Sequence, residues 1–149
     1  MKKIYTLPEV ENMLTCREED ENQLYSEAKR IKNKTIGNNV YLRGLIEISN
    51  ICIKDCYYCG IRKSNMKTAR YALSDKEIIE AADFAYTHNF GSIVLQGGER
   101  SDKKFVDRIT RLLQEIKKNS NNELGITLSL GEQTEDTYKR WRDAGAHRY

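Results

Sequence analysis

No run of about 18 apolar residues occurs in the chain, and the opening MKKIYTLPEV turns polar too early for the apolar stretch of a secretion signal. A membrane-spanning helix is therefore not expected, and the cytoplasm is the expected compartment. Proline occurs once and no Ser/Gly-rich stretch interrupts the sequence, which argues against a flexible linker. No dense block of one charge sign is present either. The 25 Lys and Arg are interleaved with 22 Asp and Glu for a formal charge of +3, so neither a nucleic acid nor a membrane is an expected partner. Cysteine is scarce and uneven: of four in 149 residues, Cys52, Cys56 and Cys59 crowd together while Cys16 stands apart. That distribution suits metal binding better than a disulfide framework.

What is present supports a folded domain. Apolar residues make up 39% of the chain, with nine Tyr, three Phe and one Trp, enough for a core despite 32% charge. The run TLPE from Thr6, followed by Val10, Met13 and Leu14, predicts a short capped helix. A second helix is expected from about Glu18 to Lys34, with Leu24, Ala28 and Ile31 on one face and the acidic run REEDE at its positive end.

Past Gly37 the texture changes. The segment VYLRGLIEIS alternates as a strand, and Ser74 with Glu77 forms a capping box ahead of Ile78, Ile79, Ala82, Phe84 and Ala85. Ser92 to Gln96 reads as a second strand. Phe105, Ile109, Leu112, Leu113 and Ile116 recur at helical spacing, GITLSL reads as a third strand, and a last helix is expected from Thr134 to Gly145. Three strand–helix units in a row imply an α/β fold with a parallel sheet and right-handed crossovers. The division expected is a helical extension over residues 1–36 and a parallel α/β domain over 37–149. A closed barrel of this type needs about 250 residues, so the reading is a partial (βα) barrel whose fourth strand would begin after Gly145 and whose open sheet needs further cover.

The chemistry concentrates at the carboxyl ends of these strands, where parallel α/β folds gather ligands. After the first strand, CIKDCYYC places Cys52, Cys56 and Cys59 at the spacing CxxxCxxC. Three thiolates on one loop suit a 4Fe-4S cluster with one iron left open, whereas a structural zinc site needs a fourth ligand, for which Cys16, His88 and His147 are the candidates. After the second strand comes QGGE. Gly97 and Gly98 allow close backbone approach to a ligand, and Glu99 offers a carboxylate for an ammonium group. By strand parity Glu47 and Ser49, Val94 and Gln96, and Thr127 and Ser129 face one partly polar side, with Ile126, Leu128 and Leu130 on the other. Tyr58 either borders a ligand ring or packs the loop, Tyr57 is expected to pack, and Trp141 with Tyr138 is expected to seat the last helix on the sheet.

CxxxCxxC after the first strand with Gly-Gly-Glu after the second resembles the radical S-adenosylmethionine (SAM) superfamily. Within it, VYLRGLIEISN, CYYCGIRKSN, IVLQGGE, ITLSLGE and AGAHRY resemble the HydE group of FeFe-hydrogenase maturases, with biotin synthase and methylornithine synthase as related alternatives. The resemblance implies an enzyme that cleaves SAM reductively to a 5′-deoxyadenosyl radical. Cys52, Cys56 and Cys59 would hold the 4Fe-4S cluster and Tyr58 would border the adenine. Glu99, with Gly97 and Gly98, would bind the methionine amino group, while Gln96, Thr127 and Arg148 would line the SAM and substrate cavity. The implied partners are a small-molecule or organometallic substrate, an electron donor such as ferredoxin or flavodoxin, and other hydrogenase maturases. One departure stands out: Arg100 occupies the place where the family usually has an acid. Outside this reading stand a non-catalytic metal module and an inactive fragment.

Overall fold

Three short apolar stretches build the sheet that orders everything else. In a computed structural model describing residues 4–149, they form β1 (Arg43–Ser49), β2 (Ser92–Gly97) and β3 (Gly125–Ser129), all parallel, in the order β1-β2-β3. The register aligns Ile46 with Leu95 and Leu128 on one face, and Glu47 with Gln96 and Ser129 on the other. The apolar face is buried under α3 (Asp75–Thr87), α4 (Lys103–Asn119) and α5 (Glu135–Asp143). The parallel α/β architecture with three βα units is thus the one the periodicity predicts.

Each of these three helices starts where a side chain takes up an orphan backbone N–H group. Ser74 accepts the N–H of Glu77 at 3.2 Å, and the Glu77 carboxylate accepts the N–H of Ser74 at 2.7 Å. Asp102 caps α4 by accepting from the Phe105 N–H, and Thr134 caps α5 by accepting from the Thr137 N–H. The core joins Ile48, Ile93, Leu95 and Ile126 of the strands to Ile78, Ile109, Leu113 and Ile116 of the helices. Trp141 is buried on α5 as expected, and its indole N–H donates to the Val106 carbonyl at 3.3 Å.

Two details depart from the parity and periodicity. Ser49 is buried instead of sharing the open face with Glu47, because the ladder shifts register between them. Its hydroxyl turns under the following loop and donates to the Tyr71 carbonyl at 2.9 Å. Phe84 lies outside the core and stacks on His88 at 3.9 Å, since the buried stripe of α3 runs through Ile78, Ala82 and Ala85.

Beyond α5, Arg148 pairs in parallel with Thr127 on the outer edge of β3. The His147 N–H donates to the Ile126 carbonyl and the Leu128 N–H to the Arg148 carbonyl. These rungs lie where the sequence places the start of a fourth strand.

The described residues fall into two compact units, one extending to Val40 and one from Tyr41 to Tyr149. The first holds α1 (Leu7–Thr15) and α2 (Glu19–Ile36), neither of which contains a buried residue. Among the described residues, no helix is long and apolar enough to cross a membrane.

Leu95, fully buried on the central strand, is the test of this core. Leu95→Ala is expected to lower unfolding free energy by about 2–5 kcal/mol. Urea titration followed by circular dichroism should show an earlier midpoint with an unchanged slope.

Candidate functional site

The segment between β1 and α3 carries the three clustered cysteines and is held in shape by polar contacts instead of a core. Arg70 is its brace. One guanidinium nitrogen donates to the carbonyls of Asn50 (2.7 Å) and Ile61 (2.8 Å), and the other to those of Arg62 (2.6 Å) and Asn65 (3.3 Å). A planar fork of donors is the group that can gather carbonyls from both limbs of a loop at once. Asn50 ties the same limbs by donating to the Ala69 carbonyl and accepting the Tyr71 N–H. Asp55 accepts the Ser64 N–H at 3.0 Å, and hydrogen bonds from Ser64 hold its carboxyl below the usual carboxylate range. Cys52 and Cys59 are half-buried, Cys56 is exposed, and all three are free thiols.

The turn after β2 is stitched directly to this loop. The Gly98 N–H donates to the Ser49 carbonyl, and the Ile53 N–H donates to the Glu99 carbonyl, both at 3.0 Å. The Glu99 N–H donates to Cys52 Sγ at 3.3 Å, and the Lys54 N–H reaches the same sulfur at 3.4 Å. Gly98 is obligatory here: a Cβ would stand 2.3 Å from the Ile51 carbonyl oxygen and 2.8 Å from Cys52 Cβ. The close approach that this glycine permits is thus to the chain's own cysteine loop.

Glu99 then projects toward the turn after β3. Its Oε2 accepts the Glu132 N–H at 3.1 Å, and its Oε1 lies 3.3 Å from the Lys54 ammonium. Gly131, at φ +78°, makes room, since a Cβ there would collide with Glu99. Lys54 also reaches Glu132 Oε2 at 3.1 Å, and the carboxylates of Glu132 and Glu99 raise its pKa above the ordinary lysine value. The Tyr149 hydroxyl donates to the Gly131 carbonyl, and burial pushes its pKa up to about 12, so it remains a neutral donor. Lys54, Cys56, Tyr58, Glu99, Glu132 and Tyr149 share the lining of a cavity of about 510 Å³ at the carboxyl end of the sheet.

The residues singled out from sequence separate into two groups. Cys52, Cys56, Cys59, Tyr58, Gly98 and Glu99 lie in the two adjoining loops at this mouth, and Gly97 is the last residue of β2. Gln96 sits on the open sheet face in line with Glu47 and Ser129. Thr127 and Arg148 lie a layer lower and line a separate cavity with Arg43, Ser92 and His147. Tyr58 is exposed beside Cys56, so it does not pack the loop; neither does Tyr57, which is 97% exposed, against expectation.

Neither histidine can complete a zinc site with the cysteines. His88 lies at the end of α3 with Nδ1 2.8 Å from the Phe84 carbonyl, and His147 approaches Ile126 at the start of β3. Both positions are at the opposite end of the sheet from the cysteine loop. Cys16 belongs to the first unit, where its thiol donates to the Met13 carbonyl.

Lys54, Arg70 and Glu132 escaped notice in the sequence. For Lys54 the available signal was a lone cation between two clustered cysteines. For Glu132 it was the repetition of Gly-Glu after both β2 and β3.

A parallel βα sheet with a three-cysteine loop after its first strand defines a class. The family profile described as the Radical SAM superfamily matches residues 46–149, and the chain belongs to that superfamily. Members of the superfamily use a 4Fe-4S cluster and SAM. Among individual proteins, the chain is similar to the [FeFe] hydrogenase maturase subunit HydE of Thermotoga maritima. The two are 41% identical over 127 residues, covering 85% of this chain and 35% of that protein. Biotin synthase of Macrococcus caseolyticus is 34% identical over 134 residues, covering 87% and 40%. The chain therefore spans little more than a third of the length of the curated relatives it matches. Among solved structures, methylornithine synthase (PylB) superposes with a TM-score of 0.79 at 27% identity, covering 95% of this chain and 42% of that one. The maturase HydG of Carboxydothermus hydrogenoformans reaches 0.72 at 24% identity, covering 90% and 31%, a likeness of fold.

The side chains present fit these cofactors. Three free thiols on one braced loop are the donor set of such a cluster, and N–H donors on a ligand sulfur are among the features that tune one. Among the described residues, no three Cys, His, Asp or Glu side chains group closely enough for a single metal ion. Three thiolates bound to three separate irons need no common point. The Glu99 carboxylate holds an alkylammonium, that of Lys54, at 3.3 Å.

Removing the brace tests the loop's construction. Arg70→Met leaves four carbonyls without their charged donor and is expected to speed amide exchange at Arg62, Lys63 and Asn65 by about tenfold or more. The Leu95 amide should be unaffected, and hydrogen-exchange mass spectrometry reads both.

Proposed function

We propose that this chain is the N-terminal part, over residues 37–149, of a radical SAM barrel enzyme acting in maturation of the FeFe-hydrogenase active site. The observation that carries the reading is the bond from the Glu99 N–H to Cys52 Sγ. One residue thereby ties a carboxylate suited to an amino acid's ammonium to a thiol of the cluster loop. The identity to HydE, higher than that to biotin synthase, favours hydrogenase maturation over sulfur insertion. The proposed setting is the cytoplasm, with a reductant such as ferredoxin or flavodoxin, other maturases as partners, and a small organic or organometallic substrate.

Cys52, Cys56 and Cys59 would bind the cluster as thiolates, with the Lys54 and Glu99 N–H groups stabilising the charge on Cys52. When bound and reduced, the cluster supplies one electron to the sulfonium of SAM, giving methionine and a 5′-deoxyadenosyl radical. Glu99 would orient SAM through its α-ammonium, with Gly97 and Gly98 keeping the turn tight against the cysteine loop. Tyr58, at the mouth beside Cys56, would border the adenine. Gln96 would face the substrate on the open side of the sheet, with Thr127 and Arg148 lining the cavity a layer below it.

Anaerobic reconstitution with iron and sulfide, followed by electron paramagnetic resonance with and without SAM, tests this reading. About four irons per chain and a spectrum that changes on adding SAM are expected; bound zinc without sulfide would refute it. Cys56→Ala should lose the cluster signal almost entirely. Glu99→Gln should keep the cluster and weaken SAM binding by about tenfold, as expected for the loss of a charged hydrogen-bonded partner.

A further inference from the structure

Lys54 is placed where nothing in the cluster chemistry requires a cation. It stands between Cys52 and Cys56, and its ammonium spans two carboxylates, 3.3 Å from Glu99 Oε1 and 3.1 Å from Glu132 Oε2. The two carboxylates differ in kind. The Glu99 side chain is 13% exposed and that of Glu132 is 87% exposed. Desolvation makes an unpaired charge costly at Glu99 and cheap at Glu132. Glu99 Oε2 is taken by the Glu132 N–H, which leaves Oε1 facing the cation. Lys54 is itself 45% exposed on a flexible four-carbon stem, so it has room to move off Glu99 while remaining on Glu132.

We infer that Lys54 is a placeholder: its ammonium occupies on Glu99 the seat that the α-ammonium of SAM takes, and SAM enters by exchanging one ammonium for the other while Lys54 withdraws onto Glu132. This rests on the proposed role of Glu99. Before binding one ammonium serves both carboxylates, and after the exchange each has its own, Lys54 on Glu132 and the α-ammonium of SAM on Glu99, so Glu99 is never left without a counter-ion. It also gives the site a preference. A nucleoside without an α-ammonium cannot replace Lys54 on Glu99, so the pairing screens for the amino-acid end of SAM. The side chain would thus set SAM affinity by competition, in opposition to the attraction that a cation near a carboxylate-bearing ligand would otherwise provide.

The test measures SAM affinity on the cluster-reconstituted chain by anaerobic equilibrium dialysis, with iron and sulfide content checked for each variant. Lys54→Met removes the competitor and is expected to tighten SAM binding about three- to fivefold, the scale of a partly exposed ion pair. Binding of 5′-methylthioadenosine, which has no α-ammonium, should be unchanged. Glu132→Gln, outside the cysteine loop, removes the place of withdrawal and should weaken SAM binding by a similar factor. Equal or weaker SAM binding in Lys54→Met would overturn the placeholder role, as would unchanged or tighter binding in Glu132→Gln. Should Lys54→Met lose the cluster, the Glu132→Gln result decides alone. SAM affinity unchanged in Glu99→Gln would instead sink the assignment of Glu99, and failure of the unaltered chain to bind SAM would do the same.

Discussion

The N–H of Glu99 on the sulfur of Cys52 is the contact on which the candidate site depends. It exists because β1 and β2 are adjacent parallel strands whose following loops leave the sheet side by side. Gly98 lets those loops close to van der Waals distance, and the Gly98 and Ile53 N–H groups complete the seam. A thiol and a carboxylate about 47 positions apart in sequence are thereby fixed on one short stretch of backbone. Neither loop has an apolar core, so hydrogen bonds do the holding, and a buried N–H left without an acceptor would cost about 1–3 kcal/mol.

Around this seam the structure divides its polar groups by purpose. Arg70 spends its donors on carbonyls of the cysteine loop, leaving the thiols themselves uncommitted to metal-free partners other than backbone N–H. Glu99 is held from one side by the Glu132 backbone N–H and from the other by the partly exposed Lys54 ammonium, an arrangement that orients the carboxylate. Tyr149 and Gly131 close the far wall, linking the turn after β3 to the end of the described chain. The open sheet face below, with Glu47, Gln96 and Ser129 in line, is polar enough to meet a ligand and too polar to be a core.

The order of elements was legible because each depends on local rules. Alternation in RGLIEIS, the Ser74–Glu77 box and the apolar spacing from Phe105 to Ile116 each specify their element without reference to the rest. The cysteines and the Gly-Gly-Glu turn were legible as motifs. Ser49 was misjudged because parity assumes an unbroken ladder, and the register shift at the end of β1 is a property of the pairing with β2. Tyr57 was misjudged because aromatic character argues for burial, yet the loop around it offers no apolar surface to cover it. Lys54, Arg70 and Glu132 were invisible for a different reason. Isolated charges in a chain that is 32% charged carry no signal until folding puts partners beside them.

By itself, then, the sequence determined which residues become strand, helix and cap, that the sheet is parallel, and that three thiols share one loop. These follow from periodicity, capping and spacing, which act over a few residues. Only the tertiary structure decided which loops touch, that Gly98 serves the seam with the cysteine loop, and that Thr127 and Arg148 lie a layer below Gln96. It alone brought Lys54 between two glutamates contributed by two other turns. Such contacts join residues 45 and 78 positions apart, and their geometry is set by strand register and loop packing, quantities that no local pattern encodes.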